Sequence, residues 1–241
     1  MEKEISKQHV QLPNKDGEQI TPKDQLIYLV IKRHMNNKTQ EAFPSLETIS
    51  KESGASVPTI RKIIQNLINA DYITIKKDGR KNIYCFNPYK YFEVFSYDFL
   101  DNKDLSFIQK SYLVSAQQYM IKENGIAKTT FTNKELSQRI NMPESTISKI
   151  NRELEAKNYL RTIDTSLRNP ETGCIIKEKI YDLEAYGQAV VFLLRNHEDR
   201  ITDNENNIEQ LKKENESLKK DVELLKRELF KNKEPNNELV L

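Results

Sequence analysis

Basic, amide and hydroxyl side chains recur without an intervening acid in the stretch TIRKIIQN, residues 59–66. More cations follow in KKDGRK, residues 76–81. Guanidinium and ammonium groups neutralise phosphates, and Arg, Lys, Gln and hydroxyl side chains can hydrogen-bond to the edges of bases. These residue types predict a nucleic-acid-binding set that comprises Ser56, Thr59, Arg61, Lys62, Gln65, Lys76, Lys77, Arg80 and Lys81.

The charge of this region differs from that of the whole chain. The full sequence has 38 Lys and Arg against 36 Asp and Glu, a formal net charge of +2 that by itself favours no class of partner. Between Lys51 and Lys90 the sequence has eight basic residues against three acids, Glu52, Asp71 and Asp78. The basic charge is therefore clustered where the candidate residues lie.

Three helices and a hairpin are predicted to position these side chains. Apolar residues at helical spacing indicate a first helix in 21–37 and a third helix after Gly54, and Ser45 is a suitable N-cap for a second helix between them. The strands YITIKK and NIYCF follow, joined by an Asp-Gly turn that tolerates positive φ. The apolar sets are Leu26, Ile27, Val30 and Ile31 in the first helix, and Ile60, Ile63, Ile64 and Leu67 in the third.

This order of elements and its motif resemble the winged helix-turn-helix module of bacterial regulators and of phage and plasmid replication proteins. In that module the recognition helix carries Ser, two residues, Thr, an apolar residue, a variable residue and a basic residue. Here Ser56, Thr59, Ile60 and Lys62 occupy those places, and the resemblance covers Thr21 to Phe86. It implies double-stranded DNA as the partner, with a polar helix in the major groove, and names neither the target sequence nor the process.

A second copy of the pattern lies 87 positions further along the chain. Matches of residue type include Thr59 with Thr146, Lys62 with Lys149 and Tyr72 with Tyr159. The copy predicts further DNA-binding candidates at Ser145, Thr146, Ser148, Lys149, Arg152 and Arg168.

The second copy differs from the first in ways that bear on binding. Asn141 replaces Gly54, Asn151 replaces Ile64, and the second wing, SLRNPETG, has one cation. We expect this module to bind DNA more weakly or to serve as a platform for a dimer or a partner. Its first helix is predicted to be long, within residues 104–125, with Leu105, Ile108, Tyr112 and Met120 divided between core and interface.

The segment between the modules is rich in aromatic residues. Aromatic rings beside a cation can stack on single-stranded bases, and they can equally pack two modules together. We favour packing for this set, which comprises Phe86, Tyr89, Tyr91, Phe92, Phe95, Tyr97 and Phe99.

Several other classes of function are disfavoured. No acid and base constellation and no phosphate loop stands out, the three His are scattered, and Cys85 and Cys174 stand apart. We therefore expect no enzyme activity, no metal and no cofactor. A signal peptide and a run of about 18 apolar residues are both missing, and we expect a cytoplasmic protein.

The C-terminal part carries a heptad pattern. The a positions of the heptad are Ile208, Asn215, Val222 and Leu229, and the d positions are Leu211, Leu218 and Leu225. β-Branched residues at a combined with Leu at d favour a parallel two-stranded coiled coil. Glu214 and Asp221 at g would face Lys219 and Lys226 at e of a second copy. The alternative is a single solvated helix held by its own Glu and Lys pairs.

The sequence thus predicts a mainly α fold with small β-wings (α+β): two tandem winged helix-turn-helix domains followed by a coiled coil. The predicted segments are a tail at 1–20, domains at 21–99 and 100–183, a helix and coiled coil at 184–231, and a flexible end at 232–241. The expected partners are double-stranded DNA, a second copy of the chain, and a replication or transcription protein. A scaffold whose winged modules bind proteins is the alternative.

Overall fold

The computed structural model describes residues 9–13, 20–79, 81–123, 125–188, 210–220 and 222. The chain divides into two compact units, Met1–Leu193 and Leu194–Leu241. None of the described helices is both long enough and apolar enough to cross a bilayer.

The first part of the first unit alternates short helices and strands. In chain order the elements are β1 (His9–Pro13), α1 (Pro22–Lys32), β2 (Glu41–Ala42), α2 (Leu46–Ser53), α3 (Val57–Asn69), β3 (Ile73–Asp78), β4 (Lys81–Phe86), β5 (Phe92–Ser96) and α4 (Tyr97–Asp101). β1 pairs with β5, and β2, β4 and β3 form an antiparallel sheet in that order.

The second part begins with a helix and continues with a larger sheet. The elements are α5 (Phe107–Ala116), a 3₁₀ turn (Gln117–Tyr119), β6 (Ile121–Glu123), β7 (Ile126–Thr129), α6 (Asn133–Ile140), α7 (Glu144–Ala156), β8 (Leu160–Arg168) and β9 (Ile175–Asp182). Its four strands are ordered β6-β7-β9-β8. The second unit is described only at residues 210–220 and 222, which are helical.

The predicted apolar faces of the first and third helices are confirmed. Leu26, Ile27, Ile60 and Leu67 are each 0% exposed, and the remaining apolar residues predicted for α1 and α3 are also buried. The predicted start and end of α2 are confirmed too: the Ser45 side chain caps it, and Gly54 ends it in the left-handed region at φ 78°.

Two sequence-based predictions of secondary structure were wrong. The long helix predicted within 104–125 ends at Ala116, and the chain then forms the β6–β7 hairpin, with Gly125 at φ 76°. The segment predicted as an N-terminal tail contains β1, in which Val10 and Leu12 are buried; residues 1–8 and 14–19 lie outside the described part. The fold is accordingly mixed α+β, and it contains more β-strand than the small wings that the sequence predicts.

One hydrophobic core serves both parts of the first unit. α1 packs against α5, and the Ser115 hydroxyl of α5 donates a hydrogen bond to the Gln25 side chain of α1. The predicted domain boundary after residue 99 falls inside α4, whose Phe99 ring packs on Tyr186 with centroids 5.8 Å apart. The first unit therefore continues past the predicted end of the second domain at residue 183.

The chain beyond β9 is fixed against the aromatic segment. The Gln188 side chain is fully buried, accepts a hydrogen bond from the backbone amide of Ser96 at 3.0 Å and donates one to the carbonyl of Val94 at 2.8 Å. Gly187 has φ 89°, and a Cβ there would lie 3.0 Å from backbone atoms of Asp98 and Phe99. This close approach requires glycine.

Candidate nucleic-acid interface

The angle between α2 and α3 is fixed by hydrogen bonds in the turn that joins them. The Gly54 amide donates to the Ser50 carbonyl at 2.9 Å, and the Ser50 hydroxyl donates to the Ala55 carbonyl at 2.6 Å. The Ser53 hydroxyl oxygen accepts from the Ala55 amide at 3.1 Å. The Gly54 amide and both backbone polar groups of Ala55 are thus paired, which favours one orientation of α3 relative to α2.

α3 presents a polar face because its apolar residues follow the helical period. Ile60, Ile63, Ile64 and Leu67 face the core, which leaves Arg61, Lys62 and Gln65 exposed. Neither Arg61 nor Lys62 forms an ion pair with another described residue, and no acid occurs between Val57 and Asn69. Two cations are therefore available for an anionic partner.

The hydroxyl groups predicted to contact DNA also begin the helix. The Ser56 side chain caps α3 by accepting from the Thr59 amide at 3.4 Å, and the two side-chain oxygens lie 2.8 Å apart. Ser56 is exposed and Thr59 is half-buried. The structure therefore gives both residues a structural role that would accompany any contact with DNA.

The wing cations differ in their surroundings. Lys76 lies 3.2 Å from the Glu41 carboxylate of β2, and that hydrogen bond raises the pKa of Lys76. Lys77 and Lys81 are exposed and form no ion pair with any other described residue. Arg80 lies outside the described residues. The partner of Lys76 could not be found from the sequence, because β2 has two residues and no pattern.

Residues 18–73 match the model of the helix-turn-helix domain family. The match ends at the first residue of β3, so that it spans the three helices and leaves out the wing. This part of the chain is a helix-turn-helix domain. Helix-turn-helix domains commonly place their second helix in the major groove of DNA, and the exposed cations of α3 are compatible with such a contact. No curated protein matches the chain.

Elements of the second part begin at the spacing that the sequence repeat predicts. α2, α3 and β3 begin at Leu46, Val57 and Ile73, and α6, α7 and β8 begin 87 positions later in each case. Asn141, the counterpart of Gly54, is in the left-handed region at φ 51°. The equivalent helices thus have equal lengths and the same kind of end.

The cations of α7 are more engaged than those of α3. Lys149 lies 3.9 Å from Glu153, and Arg152 Nε donates to the Ser148 carbonyl at 3.3 Å. The Ser148 hydroxyl accepts from Asn133 at 2.9 Å, whereas Ser145 is exposed and Thr146 is half-buried. The α7 sequence also contains Glu144, Glu153 and Glu155. Its surface is therefore less suited to a polyanion than that of α3.

In the second wing and in α6, charged side chains are likewise engaged in contacts within the protein. Arg168 Nη1 donates to the Gly173 carbonyl at 2.9 Å, inside its own hairpin. The Thr132 amide and hydroxyl donate to Glu135 in the capping box of α6, which holds the pKa of Glu135 below its usual value. Ile163, Leu167 and Ile175 are large apolar residues exposed on this wing.

The structure separates the aromatic segment into two groups. Phe95 and Phe99 are fully buried, as packing between the modules would require. Tyr91 and Phe92 are 60% and 40% exposed, and Lys90 Nζ lies 5.1 Å from the Tyr91 ring centroid. Packing accounts for the buried rings, and Phe92 also meets the Tyr89 ring edge-on with centroids 6.0 Å apart, whereas Tyr91 beside Lys90 has no such explanation among the described residues.

The described helical residues of the second unit expose their heptad positions. Leu211, Leu218 and Val222 are 58%, 61% and 48% exposed in the single chain, and Asn215 is also exposed. Ile208, Leu225 and Leu229 lie outside the described residues, and the coiled coil stays a prediction. Within the described part of the chain, no three His, Cys, Asp or Glu side chains converge as metal ligands would.

Proposed function

We propose that this protein binds double-stranded DNA sequence-specifically through α3, whose exposed residues read base edges in the major groove. The observation that carries the proposal is the acid-free face of α3, with Arg61 and Lys62 unpaired among the described residues, inside a helix-turn-helix domain. A helix of this size fits the major groove, and Arg and Lys hydrogen-bond to guanine there.

In this proposal the β3–β4 wing supplies contacts that do not depend on sequence. Lys77 and Lys81 extend from the hairpin without an acid partner among the described residues. Contacts between such cations and phosphates release counterions, so that affinity falls steeply as the salt concentration rises. Arg80 belongs to this set by its position in the sequence.

The second part of the unit is proposed to be a diverged copy of the first. The 87-residue spacing of three element pairs supports this, and the acids on α7 support a weaker role in DNA binding. The exposed Ile163, Leu167 and Ile175 favour a contact with protein through the second wing. A scaffold in which the winged modules bind proteins is therefore the second candidate function.

The C-terminal segment is proposed to form a parallel homodimer. Exposed Leu211, Leu218 and Val222 are the described members of the heptad seam, and their burial would require a second helix. Joining two DNA-binding units raises the affinity for paired sites through effective concentration. The biological role would be transcriptional regulation, or replication or partition of a phage or plasmid.

Selection of bound fragments from a random DNA library, followed by fluorescence anisotropy at several salt concentrations, tests this function. The double variant Arg61→Ala, Lys62→Ala should lose about 1 to 3 kcal/mol of specific binding per base contact. The matched variant Lys149→Ala, Arg152→Ala should lose less.

A parent protein with no selected sequence and no salt-dependent DNA binding would favour the scaffold. An equal or larger loss in the α7 variant would reverse the ranking of the two modules. Selected genomic sites at promoters would indicate regulation, whereas repeated sites near an origin would indicate replication or partition.

A further inference from the structure

Lys32 is a buried lysine of the first unit that has neither an acid nor a hydrogen-bond acceptor among the described residues. The Lys32 residue, at the end of α1, is 8% exposed. Its Nζ lies 4.2 Å from the centroid of the Phe86 ring and 5.3 Å from that of Tyr89. Within the described residues it has no hydrogen-bond acceptor and no carboxylate within 4.0 Å. Aromatic faces stabilise an ammonium group only partly when it is removed from water.

Lys32 lines a surface cavity of about 430 Å³, together with His9, Gln11, Met35, Asn37 and Tyr97. Among the described residues of this lining there is no Asp or Glu. The cavity is formed where β1 and the end of α1 approach each other. A buried cation with no acid among the described residues of the cavity wall is electrostatically suited to an anion.

Two amide side chains in the wall have N–H groups that donate to no described residue. Gln11 accepts from the Tyr89 hydroxyl at 2.8 Å through its oxygen, so that its NH₂ group forms no hydrogen bond with the described residues. Asn37 uses its backbone carbonyl to accept from Gln40 at 2.8 Å, and its side-chain amide likewise has no described partner. The Tyr97 hydroxyl donates to the Arg33 carbonyl at 2.9 Å.

We propose that this cavity binds a small oxyanion, namely free phosphate or the phosphate group of a small metabolite, held by the Lys32 ammonium and the Gln11 and Asn37 amides. Burial lowers the pKa of Lys32 to about 8, and an anion would stabilise its protonated form. Because the Lys32 residue is only 8% exposed, a small ligand reaches its ammonium group more readily than the backbone of a DNA duplex would.

The full chain labelled with ¹⁵N allows a direct test by NMR titration at constant ionic strength. Inorganic phosphate should cause saturable shifts of the Gln11 and Asn37 side-chain amide signals. Lys32→Met, which removes the charge and keeps an unbranched side chain one heavy atom shorter, should weaken phosphate binding at least tenfold. Lys38→Met is the matched control, because Lys38 is exposed nearby and is not part of the lining. It should bind phosphate as the parent does.

Two further arms identify the source of the phosphate. Adenosine monophosphate should bind more tightly than inorganic phosphate if the ligand is a phosphorylated metabolite, and inorganic phosphate should bind more tightly if the ligand is free phosphate. A response to duplex DNA without a response to either small anion would overturn the proposal. So would equal phosphate binding by Lys32→Met in a variant whose backbone amide spectrum is otherwise unchanged.

Discussion

Asn66 of α3 donates a hydrogen bond from Nδ2 to Oδ1 of Asp24 in the first turn of α1, at 3.2 Å. Asp24 is 2% exposed, and its Oδ2 accepts from the Thr21 amide and hydroxyl at 2.9 and 2.8 Å. Asn66 thus ties the helix that carries Arg61 and Lys62 to the N-terminal cap of α1. Its position on the polar side of α3 does not make it a reader of bases.

Asn66→Ala should reduce the free energy of unfolding by about 1 to 3 kcal/mol, because it removes a donor from a buried carboxylate. Urea unfolding followed by circular dichroism measures this. The control is Gln65→Ala, whose only described hydrogen bond is an exposed one to Asn69, and which should change stability by less than about 0.5 kcal/mol. Affinity for a selected DNA site should fall with Gln65→Ala and stay near the parent value with Asn66→Ala at a temperature where both are folded. The reverse pattern would contradict these roles.

Glu41 offers a test of the wing that adds rather than removes a free cation. Glu41→Gln should release Lys76 and steepen the dependence of the logarithm of DNA affinity on the logarithm of salt concentration. Lys77→Ala should make the same slope shallower by about 1, because it removes a phosphate contact. Anisotropy titrations on a non-specific duplex measure both. Unchanged slopes in the two variants would place the wing away from DNA.

The stability difference between the parent and Lys32→Met should depend on pH. In the unfolded chain the lysine has its usual pKa of 10.5, whereas burial lowers the folded value to about 8. The unfolded state therefore binds more protons between these two values, and the parent gains stability relative to the variant as pH rises through this window.

This gain should be on the order of 1 kcal/mol between pH 7.5 and 10, below the full value of the shift because of solvent screening. Denaturant unfolding in chloride buffers free of phosphate measures it. Burial also lowers the pKa of Lys110 and Lys179 and raises the pKa of Tyr97, but these groups are common to both proteins and cancel in the difference. Tyr89 lies beside Lys32, and burial raises its pKa, which keeps this ring neutral over most of the window. A constant difference across this range would show that Lys32 is not enclosed.

Asn215 tests the proposed parallel dimer. In a parallel pair two Asn side chains at a meet and can hydrogen-bond to each other, at a cost in stability that selects this arrangement. Asn215→Val should raise the melting temperature of a peptide of residues 200–231 and broaden its oligomeric state beyond the dimer. Analytical ultracentrifugation of both peptides gives the result. A parent peptide that stays monomeric at about 100 times the concentration at which DNA binding saturates would contradict the proposal that dimerisation raises the affinity for DNA.

The first three helices could be predicted because their signals are local. Apolar spacing, the Ser45 cap and the Gly54 end all lie within a few residues of the elements that they define. β1 and β2 could not be predicted in this way, since each is held by a strand distant in sequence, β5 and β4 respectively. The end of α5 was missed because Ile108, Tyr112 and Met120 fit a helical period, whereas a turn at Gly125 directs the chain into a hairpin.

In the candidate site, too, the features with local sequence signals could be predicted and those that depend on distant residues could not. The exposure of Arg61, Lys62 and Gln65 follows from the period of α3 alone. The availability of a cation depends on neighbours that the local pattern does not give, as with Lys76 beside Glu41 of another strand. Lys149 beside Glu153 is a pair at i, i+4 that the sequence does contain, and it could have been recognised there.

The hydrogen bonds of Gln188 have a mechanical consequence. A pull on the chain beyond this residue would be borne first by its bonds to Ser96 and Val94, which belong to β5. Because β5 pairs with β1 from Val10↔Phe95 to Pro13↔Phe92, the load would pass to a strand near the start of the chain. Tension applied at the C-terminal side would therefore test the attachment of β1, and a bulkier residue at Gly187 would weaken the anchor where that force enters.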